Sequence, residues 1–170
     1  MDKPQTPNSI KVGGAIHHLS DRSSKKQRTM FEFSIKPSQI LTVLEQLRKK
    51  GGEASWVVFM FYTSRLSSNT DDDCPNLQFS ILKGKVGLDW VLLGPRNIAD
   101  KDLINEYITS KGYKVKEKEI NEVPFLRVKK GNIAKLGLAI VEDFYKMPND
   151  ADVGLLISGF SLSFGGRHLN

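Results

Sequence analysis

Residues 77–93 read LQFSILKGKVGLDWVLL, a pattern that indicates two neighbouring strands. Two apolar runs, 77–83 and 86–93, flank Gly84-Lys85, and this two-residue spacing is typical of a β-hairpin. A second pair of strand-like runs, 113–120 and 123–129, flanks Asn121-Glu122 in the same way. Because hairpins join antiparallel strands, an all-parallel, doubly wound sheet is excluded.

The segments around the two hairpins alternate between strand and helix patterns. Further strands are predicted at 30–35, 56–62 and 153–164, and helices at 37–50, 100–111 and 132–146. The predicted order is β-α-β-β-β-α-β-β-α-β. It indicates an α+β fold in which three helices pack on a mostly antiparallel sheet of about six to seven strands. Strand pairing beyond the two hairpins is not encoded locally.

The first 29 residues differ in composition from the rest of the chain. They are rich in Ser, Gly, Lys and Pro and poor in large apolar side chains, so we predict a disordered basic tail at 1–29 and a single domain at 30–170. The short patch Ala15-Ile16-His17-His18-Leu19 could dock on the body or on a partner. Because the strand pattern opens at an internal methionine, Met30, it stays open whether residues 1–29 are native.

The net charge of +6 is concentrated in the tail. Residues 1–29 hold six cations and two acids, a net charge of +4, whereas residues 30–170 hold 19 Lys and Arg and 17 Asp and Glu, a net charge of +2. A folded nucleic-acid surface needs a stripe of cations that neutralise phosphates. Nucleic-acid binding is therefore expected only through the tail.

Cysteine content and hydropathy bear on the compartment. A lone Cys74 cannot close an intrachain disulfide, and residues 1–29 contain no apolar stretch of the signal-peptide type. No run approaches the roughly 20 apolar residues that span a bilayer. We expect a cytoplasmic protein that does not enter a membrane, and its oligomeric state is not predicted.

Histidine, the side chain most often used for proton transfer near neutral pH, is confined to the two ends of the chain. His17 and His18 lie in the tail, and His168 is the third residue from the end. A Ser-His or Cys-His nucleophile and a histidine-rich zinc site are therefore excluded from the core. The carboxylates at 71–73 could bind a hard cation, but a solvated loop is the simpler interpretation. We predict no catalytic residue, no metal site and no cofactor.

Asp89 is a carboxylate within a strand of large apolar residues. Such a group must point outward, be paired, or take part in chemistry. In the first interpretation Asp89 faces solvent beside the hairpin turn. In the second, Asp89 and Trp90 line a ligand cleft and Arg96, just past the strand end, binds an anion.

The second hairpin is basic, with interleaved acids. Its cations are Lys114, Lys116, Lys118, Arg127, Lys129 and Lys130, and its acids are Glu117, Glu119 and Glu122. Tyr113 and Phe125 could act as stacking platforms for single-stranded nucleic acid. The acids argue against this, and we expect cross-strand ion pairs on a wet sheet face instead.

Two functions remain open after these exclusions. The first is a non-enzymatic binding or regulatory protein whose partner is another protein. The second is a small-molecule-binding domain, or an enzyme that works without histidine, with a cleft near Asp89, Trp90 and Arg96. In size and architecture the chain is similar to small stand-alone bacterial proteins, such as toxin-neutralising immunity proteins and mobile gene-cassette products. That similarity assigns no residue a role.

Overall fold

The computed structural model describes residues 32–61 and 74–169 of the chain. Its strands are β1 (Glu32–Ile35), β2 (Trp56–Phe61), β3 (Asn76–Leu82), β4 (Lys85–Val91), β5 (Val115–Ile120), β6 (Val123–Val128), β7 (Val153–Ser158), β8 (Leu162–Phe164) and β9 (Arg167–Leu169). Its helices are α1 (Ile40–Lys50), α2 (Pro95–Ala99), α3 (Lys101–Ser110) and α4 (Ile133–Ala139). A 3₁₀ turn at Pro37–Gln39 leads into α1, and a π-helical turn at Ile140–Phe144 continues α4.

Seven of these strands form one sheet, in the order β1-β7-β2-β3-β4-β6-β5. Every neighbouring pair is antiparallel. The predicted α+β class, with helices packed on a mostly antiparallel sheet, is confirmed. The order adds a non-local feature, because β7 lies between β1 and β2 although it comes last in the sheet's chain order. β8 and β9 form a separate two-stranded ribbon.

Both predicted hairpins form, through turns with two left-handed residues. Asn121 and Glu122 have φ values of 51° and 65°, as a type I′ turn requires. In the first hairpin the left-handed pair is Lys83 and Gly84, with φ values of 54° and 68°. The predicted turn at Gly84-Lys85 was therefore wrong by one residue, and Leu82 pairs with Lys85.

One face of the sheet, which we call the helix face, packs against α1, α3 and α4. Each helix presents apolar residues three or four positions apart, such as Leu44 and Leu47 on α1, or Ile104 and Ile108 on α3. They join a single core with the alternate sheet side chains Phe59, Phe79, Leu88, Trp90, Leu126 and Leu155. This core holds the helices in place on the sheet.

The intervening side chains point to the opposite side of the sheet, which we call the second face. Its central part is also buried. Two apolar clusters lie there, one of Trp56, Val58, Met60 and Leu156 and the other of Val91 and Phe125. The polar side chains between them are Asn76, Gln78, Ser80, Asp89 and Arg127, all buried.

Other departures from the predicted elements are the short helix α2, which the sequence pattern did not predict, and two changes near the C-terminus. The strand predicted at 153–164 is interrupted after Ser158, where Gly159 takes a φ of 82°. The helix predicted at 132–146 is α-helical only to Ala139 and then widens into the π turn. The predicted tail at 1–29 and the acidic cluster at 71–73 lie outside the described residues.

Across residues 32–61 and 74–169 no helix is long and apolar enough to cross a membrane. The same ranges contain no group of three or more His, Cys, Asp or Glu side chains that could hold a metal ion.

Candidate binding groove

Asp89, the first predicted site residue, lies on the second face of β4 and is 1% exposed. Arg127 Nη1 on neighbouring β6 donates to both carboxylate oxygens, at 2.6 and 2.7 Å. The Ser80 hydroxyl on β3 donates to Asp89 Oδ2 at 2.5 Å. Burial raises the pKa of Asp89 to about 6, and the Arg127 charge and the Ser80 hydrogen bond oppose that rise. The outward-facing interpretation of Asp89 was therefore wrong, because this carboxylate is buried and paired.

Gly87 explains how the Arg127 guanidinium fits on the second face. A Cβ atom at Gly87 would lie 2.5 Å from Arg127 Cζ, so the guanidinium occupies the space that a side chain would need. The glycine in the stretch Val86-Gly87-Leu88 was a visible signal of this close approach. It could not by itself name Arg127, which lies 40 residues further along the chain.

Trp90 and Arg96 belong to a different network, on the helix face and at its margin. Trp90 Nε1 donates to the Asn97 carbonyl at 3.0 Å, and the indole stacks on Tyr145 with 6.1 Å between ring centroids. The Tyr145 hydroxyl donates to Asp100 Oδ2 at 2.9 Å, and Arg96 Nε reaches the same oxygen at 2.7 Å. Burial, followed by the Asp100 charge, raises the pKa of Tyr145.

The structure thus connects Trp90 with Arg96 through Tyr145 and Asp100, and it places Asp89 on the opposite face of β4. Each of the three side chains contacts protein groups in this arrangement. Their joint role in binding a ligand stays a prediction.

A deep depression lies elsewhere, on the helix side of the sheet, and we call it the hairpin groove. It has a volume of about 800 Å³ and runs between α1, the β3–β4 hairpin and residues 129–134. Its floor is formed by the apolar side chains of Leu44, Phe79, Ile81, Val86, Ile133 and Ala134. At its margin Leu41 on α1 is 44% exposed, so the apolar surface continues out of the groove.

Three cations, which we call the rim cations, border the hairpin groove: Arg48, Lys85 and Lys129. Within the described residues no carboxylate forms a salt bridge with any of them.

The two acids that line the hairpin groove are engaged by other groups. Glu45 is held by Lys49 at 2.6 Å, and the Lys49 hydrogen bond and charge lower the pKa of Glu45. Glu53 accepts hydrogen bonds from the backbone N–H groups of Lys83 and Gly84, at 2.7 and 3.0 Å. The lining holds three cations and two carboxylates, and Lys49 compensates the charge of Glu45, so the hairpin groove keeps a positive balance at its rim around an apolar floor.

Lys129 also belongs to a wider group of cations. The Lys118 ammonium lowers the pKa of Lys129, and Lys116, Arg127 and Lys83 act in the same direction. This mutual repulsion makes an anion at the rim favourable.

The second hairpin separates its charges between the two faces of the sheet, which corrects the expected cross-strand ion pairs. Lys116 pairs in register with Arg127, so two cations lie opposite each other on the second face. Glu117 points to the other side and binds Lys101 of α3 at 2.9 Å. Because side chains alternate between the two faces of a strand, Lys116 and Lys118 lie on the second face and Glu117 and Glu119 on the other. This part of the second face therefore has a surplus of positive charge.

Sequence reasoning did not find the hairpin groove. Arg48 was assigned to the end of a helix, Lys85 to a turn and Lys129 to a strand, and nothing local relates the three. Comparisons of the chain with protein-family models, with curated proteins and with solved structures found no match.

Proposed function

We propose that this chain is a non-enzymatic, cytoplasmic binding protein whose hairpin groove receives an acidic, amphipathic segment of another protein. The observation that carries the proposal is the apolar floor bordered by Arg48, Lys85 and Lys129. Charge complementarity then selects a partner with carboxylates flanking an apolar stripe. An amphipathic helix that lays its apolar face into such a groove is a common mode of peptide recognition.

The distribution of polar groups favours a protein segment over a small molecule. Small-molecule sites usually place a few buried polar groups so that they fix the orientation of the ligand. In the hairpin groove the charges lie at the exposed rim and the floor is apolar, which is the pattern of a protein interface with an apolar centre and a polar rim. The exposed Leu41 extends that apolar centre along α1.

The lining of the hairpin groove also supports binding without catalysis. Its described side chains include no His, Cys, Ser, Thr or Tyr, so it offers no hydroxyl or thiol nucleophile and no histidine base. The two acids are held by Lys49 and by backbone amides. These side chains are suited to recognising charge and apolar surface.

The test uses a fluorescent helical peptide of about 18 residues, with Leu at positions i, i+3, i+4 and i+7 and Glu on both flanks. A matched peptide carries Lys in place of Glu. We expect the acidic peptide to bind more tightly, with an affinity that falls as salt rises. Reversing two rim charges with Lys85→Glu and Lys129→Glu should weaken it about tenfold or more, which corresponds to about 1.4 kcal/mol.

The matched control reverses two lysines outside the hairpin groove, Lys111→Glu and Lys146→Glu, and gives the same change in net charge. It should leave the affinity for the acidic peptide within about twofold. Equal binding of the two peptides, or equal losses in both double variants, would show that the rim cations do not select the partner and would refute the proposal.

A further inference from the structure

The second face carries a buried apolar cluster that none of the described helices covers. Trp56, Val58, Met60 and Leu156 are each at most 6% exposed. Yet α1, α3 and α4 all pack on the helix face, and within the described residues no helix lies over this cluster. These exposures belong to a single chain with no second copy present. The covering group must therefore be sought in the chain itself.

We propose that the N-terminal segment, through Ala15-Ile16-His17-His18-Leu19, packs on the apolar cluster of Trp56, Val58, Met60 and Leu156. This inference is independent of the function proposed for the hairpin groove. Residues 1–31 lie outside the described part of the chain. The position of Glu32 in the sheet, the length of chain before it and the chemistry of the two surfaces support this packing.

The chain enters the sheet beside the cluster. The first described residue, Glu32, pairs in register with Leu156, and Leu156 pairs in turn with Val58. Neighbouring strands lie about 4.8 Å apart, so the entry point is about 10 Å from the centre of the cluster. Twelve residues separate Leu19 from Glu32 and can span up to roughly 40 Å. The patch at 15–19 therefore reaches the cluster easily.

The chemistry of the patch also fits. Ile16 and Leu19 are three residues apart, so a single helical turn presents both to the same surface. The nearest cations on the C-terminal side, Arg22, Lys25, Lys26 and Arg28, follow the patch and need not be buried with it. The other undescribed segment, 62–73, carries Arg65 and three consecutive Asp residues beside Tyr62 and Leu66, whereas the patch at 15–19 carries no Lys, Arg, Asp or Glu. It is the poorer match to an apolar cluster.

The first test uses the single native cysteine, Cys74, which packs beside the cluster. Ile16→Cys or Leu19→Cys is introduced into the full chain, and formation of the intramolecular disulfide is followed under mild oxidation. We expect either variant to close the disulfide at least tenfold faster than Ser24→Cys. A tether alone predicts the reverse order, because Ser24 lies closer to Glu32 along the chain.

Two outcomes of this test would overturn the proposal. The first is equal closure from positions 16, 19 and 24, which is the behaviour of a segment that does not dock. The second is a predominance of intermolecular disulfides at positions 16 and 19, which would identify a second copy as the occupant.

A second measurement does not depend on a disulfide. The chain has two tryptophans, and Trp90 is fully buried on the helix face, so acrylamide quenching reports mainly on Trp56 once the cluster is uncovered. Ile16→Asp with Leu19→Asp should raise the quenching constant at least threefold. A synthetic peptide of residues 8–24 should reverse the rise, and the same peptide carrying both Asp substitutions should not.

Controls separate uncovering from loss of the fold. Ser23→Asp with Ser24→Asp adds the same charge and should leave quenching unchanged, and Trp56→Phe should abolish the rise in the Ile16/Leu19 variant. Amide exchange in β5 and β6 should be the same in all variants. Unchanged quenching in the Ile16/Leu19 variant, or the same rise produced by Leu66→Asp alone, would assign the cluster to another occupant and reject the proposal.

Discussion

Asp89 and Arg127 form a buried ion pair on the second face. A buried charge is tolerated when it is paired and hydrogen-bonded, and here Arg127 and Ser80 supply those contacts. Removing one partner leaves the other charge buried and uncompensated, which costs more than the net contribution of the intact pair. The pair is therefore expected to specify the packing of the second face more than to stabilise it.

Arg127→Met should destabilise the fold at pH 7 by about 3–5 kcal/mol, because Asp89 loses its cation in a buried site. Adding Asp89→Leu should recover at least half of that loss, since the remaining site is apolar and close in volume. The measurement is the free energy of unfolding in urea. The control Lys49→Met breaks the exposed Lys49–Glu45 pair and should cost well under 1 kcal/mol. A double variant less stable than Arg127→Met would contradict this account.

The Asp89–Arg127 pair makes the free energy of unfolding depend on pH, and the direction follows from the pKa of Asp89. Burial raises the folded-state pKa of Asp89 to about 6, against about 3.9 in an unfolded chain, so the folded state binds the proton more tightly. The contribution of Asp89 is therefore fully present below about pH 4 and is lost as the pH rises through 6, by roughly 3 kcal/mol. In Arg127→Met the pKa rises further, so the loss should continue above pH 6 in the same urea experiments. A loss that ends at the same pH in both proteins would show that Arg127 does not set this pKa.

Elements differ in how much of their placement their own residues determine. The period-two runs and turn residues of β3–β4 and β5–β6 predict both hairpins. The apolar stripe of α1, together with the glycines that follow it, predicts that helix. The position of β7 between β1 and β2 depends on pairing over more than 90 residues, which no local pattern encodes. The hairpin groove is equally non-local, since Arg48, Lys85 and Lys129 meet only after the sheet has formed.

Asp89 shows the same limit within one element. Strand alternation by itself places Asp89 on the face opposite Trp90, and the structure shows the same arrangement. Its burial and its partner depended on Arg127 from another hairpin, and on coverage of the second face. Gly87 was a local signal of this pair. Its missing side chain makes room for the Arg127 guanidinium from the neighbouring hairpin.

Packing of α4 on the sheet depends on the lack of a side chain at Gly137. A Cβ atom there would overlap the Phe79 ring, with Cζ as the nearest atom. Gly137→Ala should therefore destabilise the fold by about 1–3 kcal/mol, despite the better helix propensity of alanine. Gly52→Ala is the control, because a Cβ atom there meets nothing within 4 Å. It should be neutral or slightly stabilising in thermal unfolding, and a Gly137→Ala protein as stable as that control would show that α4 can shift freely.

At the scale of the whole molecule, the sheet separates two surfaces with different chemistry. The helix side carries the hairpin groove with its apolar floor and rim cations. The second face carries an apolar cluster near β1, a buried ion pair at its centre and the lysines of β5 at its edge. The apolar cluster of Trp56, Val58, Met60 and Leu156 shares no residue with the hairpin groove, so a change at the cluster has no direct contact through which to alter the groove.

Displacing the N-terminal segment should therefore leave the hairpin groove unchanged. In the Ile16→Asp and Leu19→Asp variant, the affinity for the acidic helical peptide should stay within about twofold of the unsubstituted chain, measured by fluorescence anisotropy at matched salt. The net charge of +4 on residues 1–29 adds a second reason, because the rim cations repel a positively charged segment. A tenfold gain in peptide affinity would mean that the segment competes for the hairpin groove. A tenfold loss would mean that the two faces are coupled through the sheet. Either result would replace the two-surface description with one in which the N-terminal segment regulates binding.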